Sequence, residues 1–314
     1  MSNMKLAQLA ERMQVDMPLL VTNVSKGITT SGAPYLNLVL QDNSGTMDGK
    51  VWDVPDELDK SVKAGKIYQV RGDVLNYRGT LQMKVTDMVL KQEHLVNLND
   101  FLISSHISSA ELRERIYIAI AGIKNEVLRK LVEKLVKKAD PEYFSFPAAT
   151  RNHHEFVGGL ATHVCEMLDL GESLCVLFPQ LDRDLIIAGI ITHDIGKLEE
   201  LSGALVSEYT TTGKLLGHIS IAAGKIQQAA IEMGVADREE VLLLRHMVLS
   251  HHGAYEFGSP VLPMTREAEV LAFVDNLDAR LNMIDKVLEN LEPGEFSQRI
   301  FSLENRSFYK PKGE

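Results

Sequence analysis

The hydrophobic period of this chain changes once, and that change dictates how it can be organised. From about residue 17 to residue 90, apolar residues recur at every second position, the period of a half-buried strand. In PYLNLVLQD, Leu36, Leu38 and Leu40 share one face while Tyr35, Asn37, Val39 and Gln41 share the other. Asp42-Asn43-Ser44-Gly45 forms a turn cluster, and TMDGKVWDV reads as the next strand. LLVTNVSKGIT precedes them; KIYQVRGDV and TLQMKVTDMVL follow, joined by the hairpin turn Asn76-Tyr77-Arg78-Gly79. A short helix from Pro55 to Lys63, left at Gly65, falls between the third and fourth strands. Five short antiparallel strands of this kind predict a small barrel.

The position of that helix suits the OB-fold, so residues 1–92 are expected to form a five-stranded OB barrel. Residues 93–106 read as a linker. From 107 to 314 the period is helical, predicting an all-α domain that ends in a polar, extended arm after Pro293. Ser108 or Ser109 is placed to cap the first helix, and Val127, Leu128, Leu131, Leu135 and Val136 line one face of the second. Further helices are predicted near 157–178, 181–193, 215–234, 237–251 and 265–290. A length of 314 residues also suggests about two domains. The longest apolar run, Leu185 to Ile191, is far shorter than the roughly 20 residues of a membrane span, so no membrane partner is expected. The first residues lack the apolar stretch of a signal peptide, and Cys165 and Cys175 are too few for a disulfide framework. Both observations predict a cytoplasmic protein. The net charge of −10 disfavours broad coating of duplex nucleic acid. The acid excess is uneven, however: residues 1–100 carry 11 Lys and Arg against 12 Asp and Glu.

Histidine sharpens the division. The first of ten is His94, and eight lie between 153 and 252 in the clusters NHHEF, ATHV, THDIGK, GHIS, RHMV and SHHG. Imidazole and carboxylate together suit divalent first-row metals, whereas two lone cysteines argue against a zinc-thiolate site. The HExxH helix, the GxxxxGK phosphate loop and the GxSxG elbow are all absent from the sequence. ITHDIGK closes the buried run LIIAGII, so His193 and Asp194 can point to a common centre. Lys197 falls on the same helical side, where its cation suits a phosphate oxygen.

His163, His193-Asp194 and Asp275 form an ordered H…HD…D set, accompanied by NHHEFVGGLATHV, ITHDIGKLEEL, SEYTTTGKLLGHIS, LSHHG and FVDNLDAR. This set resembles the HD superfamily of metal-dependent phosphohydrolases. With a barrel ahead of it, the whole chain is similar to the YhaM-type 3′→5′ exoribonucleases. The resemblance implies a divalent-metal enzyme that shortens single-stranded RNA, and also single-stranded DNA, to nucleoside 5′-monophosphates. It implies one or two ions, Mn²⁺ first, with Fe²⁺, Co²⁺ or Mg²⁺ as alternatives. His163, His193, Asp194 and Asp275 would bind one ion; His218 and His251, with His252 as competitor, would bind a second bridged by Asp194. Two ions can clamp the scissile phosphate for in-line attack, with Asp194 and Lys197 as the catalytic pair. His154 either caps its helix or faces substrate.

In the barrel, strand-binding candidates are Tyr35, Trp52, Tyr77, Arg78 and Lys84, because single strands are held by aromatic platforms beside basic side chains. Of Val51 and Trp52, one must face inward. Two other functions compete: an HD enzyme acting on small nucleotides, and a non-catalytic single-strand-binding protein. The barrel disfavours the first, and the complete ligand set disfavours the second. The family resemblance and the polar arm together suggest a homo-oligomer.

Overall fold

Alternation of side chains closes the first third of the chain into a ring. The computed structural model describes residues 4–29, 32–52, 54, 61–77, 79–92, 96–97, 100–103, 105, 107–148, 156–203, 208–289 and 291–313. The chain divides into two units, Met1–Ser104 and Ser105–Glu314. In the first unit the strands are β1 (Gln14–Ile28), β2 (Pro34–Asp42), β3 (Gly45–Trp52), β4 (Lys66–Tyr77) and β5 (Thr80–Leu90). They form a closed barrel in the order β1-β2-β3-β5-β4. Leu36, Leu38 and Leu40 point into the ring with Val51, Val70, Val74, Met83 and Val85. Burying each such side chain stabilises by about 1.5–3 kcal/mol. Val51 is therefore the inward residue and Trp52 faces out.

One pairing departs from the expected all-antiparallel set. β3 and β5 run parallel, from Asp48↔Gln82 to Val51↔Val85. The reason is topological: a closed ring with an odd number of strands cannot alternate direction throughout, so at least one pair must run parallel. The helix expected from Pro55 lies largely outside the described residues, as do Arg78 and His154.

In the second unit the helices are α1 (Ser109–Ala121), α2 (Glu126–Ala139), α3 (Gly159–Leu177), α4 (Arg183–Thr192), α5 (Lys197–Glu200), α6 (Thr211–Glu232), α7 (Glu239–Ser250) and α8 (Arg266–Glu289). Ser108 caps α1, accepting from the Glu111 amide, and Asn125 caps α2. The run LIIAGII of α4 is buried on every side, as an all-apolar helix requires, and packs against α1, α2, α3, α7 and α8. The buried Tyr143 hydroxyl donates to the Ile191 carbonyl at 2.7 Å, fixing the end of α4 where His193 emerges.

Two expectations are corrected. α6 starts at Thr211 rather than near 215, capped by the Thr210 hydroxyl, and it bends at Gly217 (φ 71°, ψ 152°). A non-glycine residue would be strained there. The tail beyond Pro293 is not extended. It folds back on itself, pairing Phe296 with Tyr309 and Ile300 with Arg306, and Glu304 ties it to Arg280 of α8. Among the described residues, no helix is long and apolar enough to cross a membrane.

Candidate metal centre

Two of the donors stand where helices stop. The last four carbonyls of a helix lack intrahelical partners. His193 is the C-cap of α4, and its Nδ1 donates to the Ile190 carbonyl at 2.8 Å. His251 is the C-cap of α7, and its Nδ1 donates to the Val248 carbonyl at 2.7 Å. His252, the next residue, donates from Nδ1 to the Phe257 carbonyl at 2.7 Å. The other two rings use carboxylates. His163 Nδ1 lies 2.5 Å from Asp278, and His218 Nδ1 lies 3.0 Å from both oxygens of Glu200. Glu200 also accepts the His218 amide at 3.0 Å. In all five rings Nδ1 is engaged, which leaves Nε2 as the donor atom for a ligand.

The Nε2 atoms of His163, His193, His218 and His251 converge on Asp194 and Asp275. His163 Nε2 is 3.2 Å and His193 Nε2 3.9 Å from Asp275 Oδ1. Asp194 divides its oxygens. Oδ2 is 3.2 Å from His193 Nε2, while Oδ1 is 3.5 Å from His218 Nε2 and 3.8 Å from His251 Nε2. Three donor groups result: His163, His193 and Asp275; His193, Asp194 and His251; and His218, His251 and His252. Within each, the ligand atoms lie within 4.8 Å of one another. His163, His193, Asp194 and His251 are all at most 2% exposed.

Four buried atoms here have no hydrogen-bond partner: the Nε2 atoms of His193, His218 and His251, and Asp194 Oδ1. Buried polar atoms are rarely left unpaired. Four of them gathered around Asp194, with nitrogen and oxygen chemistry, fit divalent-cation ligation. Lys197 opens α5 and pairs with Asp194 Oδ2 at 2.6 Å.

Electrostatics favour ligand-ready forms at most positions. Burial pushes the His251 and His252 pKa values down, keeping these rings neutral. Asp194 is held well below the usual carboxylate range: burial opposes ionisation, but Lys197, His193 and His218 outweigh it. Glu200 is lowered because its bonds to His218 outweigh burial. Lys197 stays charged because Asp194 outweighs burial. His163 is the exception. Burial opposes its charged form, yet bonds to Asp275 and Asp278 push its pKa up to about 10.

His163, His193, Asp194, Lys197, His218, His251, His252 and Asp275, all singled out in the sequence, meet at this one centre. His251 and His252 fall in the same donor group with His218. The supporting carboxylates Glu200 and Asp278 were missed. Asp278 carried a signal, because three residues after Asp275 is the same helix face.

In the barrel, Tyr35 and Trp52 pair across β2 and β3 with ring centroids 5.1 Å apart. Lys50 Nζ lies 5.6 Å and 5.4 Å from the two centroids, and Lys84 pairs with Lys50 across β3 and β5. Tyr77 does not join them. It sits at the end of β4 opposite Thr80, at the far end of β5 from the level of Trp52. Gly27 lies under Tyr35, where a Cβ would collide with the ring.

A closed five-stranded barrel joined to a helical unit with an H…HD…D donor set defines a nucleic-acid-binding metal-dependent phosphohydrolase. Residues 160–280 match the HD domain and residues 20–90 match an OB-fold nucleic acid binding domain. A curated relative, the 3′-5′ exoribonuclease YhaM of Geobacillus sp. (strain WCH70), is 48% identical over 299 residues, 95% of this chain and 92% of the relative. The chain belongs to the YhaM family of 3′-5′ exoribonucleases. Among solved structures, a domain of replication protein A from Methanococcus maripaludis aligns at 23% identity, covering 28% of this chain and 94% of its own, with a TM-score of 0.25. A solution structure of the second OB-fold domain of that protein aligns at 21% identity, over 29% of this chain and 95% of its own, also with a TM-score of 0.25.

Proposed function

We propose that this chain removes nucleotides from the 3′ end of single-stranded RNA, using two divalent ions, Mn²⁺ in preference, and releasing nucleoside 5′-monophosphates. The observation that carries the reading is the set of five imidazoles held at Nδ1, of which four, His163, His193, His218 and His251, bring Nε2 to within 4 Å of Asp194 or Asp275. His163, His193 and Asp275 would hold one ion; His218, His251 and His252 would hold the other; Asp194 would offer one oxygen to each. Bound there, the ions would supply Lewis acidity for the scissile phosphate and for the hydroxide that attacks it.

The chain's own residues do the rest. The imidazoles are pre-oriented, so no ring must turn as ligands arrive. Lys197 keeps a positive charge at Asp194 and faces negative charge developing on phosphate. Tyr35 and Trp52 offer stacking faces, with Lys50 and Lys84 beside them for the backbone. Stacking does not read the 2′-hydroxyl, so single-stranded DNA is a second substrate of the same site.

The test is a 5′-labelled single-stranded oligoribonucleotide incubated with the protein and Mn²⁺. The expected result is a ladder shortening from the 3′ end, abolished by chelation. Asp194→Ala should end cleavage while strand binding survives. An intact oligonucleotide combined with turnover of free deoxynucleoside triphosphates would overturn the reading.

A further inference from the structure

The metal centre explains how a phosphate is attacked but not how the end of a strand is held over it. Its donors are polar, and His163, His193, Asp194 and His251 are buried, so the cluster offers no apolar face for a base to stack on. A candidate is the single turn that follows His252. Its Phe257 carbonyl accepts from His252 Nδ1 at 2.7 Å, and the His252 ring lies 4.4 Å from that of His251 and 5.1 Å from that of His218. The main chain of Phe257 is thus one hydrogen bond from a candidate ligand.

The turn is also fixed on its other side. Gly253 backs onto Ala272, where an added Cβ would sit 3.6 Å from the Ala272 side chain. Ala272 lies about one helical turn before Asp275 on α8. The turn is therefore pinned between the two elements that carry histidine and aspartate donors. Yet it leaves two large rings in solvent: Tyr255 is 61% exposed and Phe257 66%.

We propose that Tyr255 and Phe257 are the stacking platform for the last bases of the strand, placing the terminal phosphodiester at the metal cluster. The proposal rests on the exoribonuclease reading above. Aromatic faces suit an enzyme that must accept every base, because each base has a π-face. Successive side chains in a 3₁₀ turn point about 120° apart. The two rings therefore serve two bases rather than clamping one. These are positioning residues: they touch substrate bases and act on the chemistry only by where they hold the phosphate.

The test uses the full chain with Mn²⁺ and a 5′-labelled oligoadenylate. Tyr255→Ala and Phe257→Ala are each expected to raise KM about tenfold with kcat changed less than about threefold, and the two effects should multiply in the double variant. Phe257→Tyr and Tyr255→Phe should restore the wild-type KM. The carbonyl that holds His252 belongs to the backbone, so bound metal per chain should match wild type in every variant. An oligonucleotide with abasic 3′-terminal positions should cost the wild type about the same factor and the double variant nothing further.

Metal-loaded variants with wild-type KM would overturn the platform alone. An abasic penalty undiminished in the double variant would do the same. So would wild-type KM accompanied by loss of self-association, which would assign the rings to a subunit contact. A wild-type protein inert on every RNA would overturn the exoribonuclease reading, and the platform with it.

Discussion

His193 and His251 owe their orientation to the ends of α4 and α7, where an unpaired carbonyl three residues back takes the Nδ1 proton. His163 and His218 have no such carbonyl and rely on Asp278 and Glu200. This explains why the ligands were legible in the sequence and their supports were not. Ligand residues fall in compact motifs such as ITHDIGK, whereas a supporting carboxylate is recognisable only once it is known which ring nitrogen needs a partner. Glu200→Gln should weaken metal affinity by about 10–100-fold while leaving the fold intact, as read by metal titration alongside circular dichroism. His163 makes metal uptake pH-dependent. In the metal-free chain its pKa is raised from 6.5 to about 10, so its stabilising contribution is full below 6.5 and fades as pH rises through about 10. A metal must displace that proton, so affinity should rise with pH up to about 10. Calorimetry at pH 7 in buffers of different ionisation enthalpy should detect the released proton.

At the scale of elements, α5 and α6 carry Glu200 and His218 into place. Gly196, at the start of α5, lies against the backbone of α6, and a Cβ added there would collide with the His218 carbonyl. Gly196→Ala should therefore push α6 away, destabilise the chain by about 1–3 kcal/mol and weaken metal binding, while Gly224→Ala on the open side of the same helix should do neither. Chemical denaturation of the metal-free protein, followed by metal titration, checks both. The helices α7 and α8 were legible because their apolar residues recur with a buried face, and α4 because its apolar run LIIAGII is unbroken. The start of α6 was not. Leu215 and Leu216 are 77% and 58% exposed, so the first turns show no buried stripe, and the bend at Gly217 breaks the phase of the rest. The alternation that gave the five strands likewise said nothing about direction, which is why the parallel pair was missed.

Over the whole molecule, charge and function divide with the units. The first hundred residues carry a net charge of −1 and the remainder −9. Carboxylates such as Asp194 and Asp275 belong to the acidic part, where bound cations would offset them. The near-neutral barrel can hold a strand through stacking rather than through a basic field. Trp52→Ala should weaken binding of a single strand by about 1–3 kcal/mol in fluorescence anisotropy, with no effect on the metal content of the helical unit. The parallel pairing of β3 with β5 has one more consequence, in time rather than in space. Lys50 and Lys84 are 34 positions apart and become neighbours only when β5 closes the ring. Contacts of such sequence separation form late, after the hairpins on either side. On the ribosome, a nascent chain that has not yet emerged past Val85 has the Tyr35–Trp52 pair but only half of the cationic edge beside it. Its capacity to grip a transcript is thus the last property the barrel acquires.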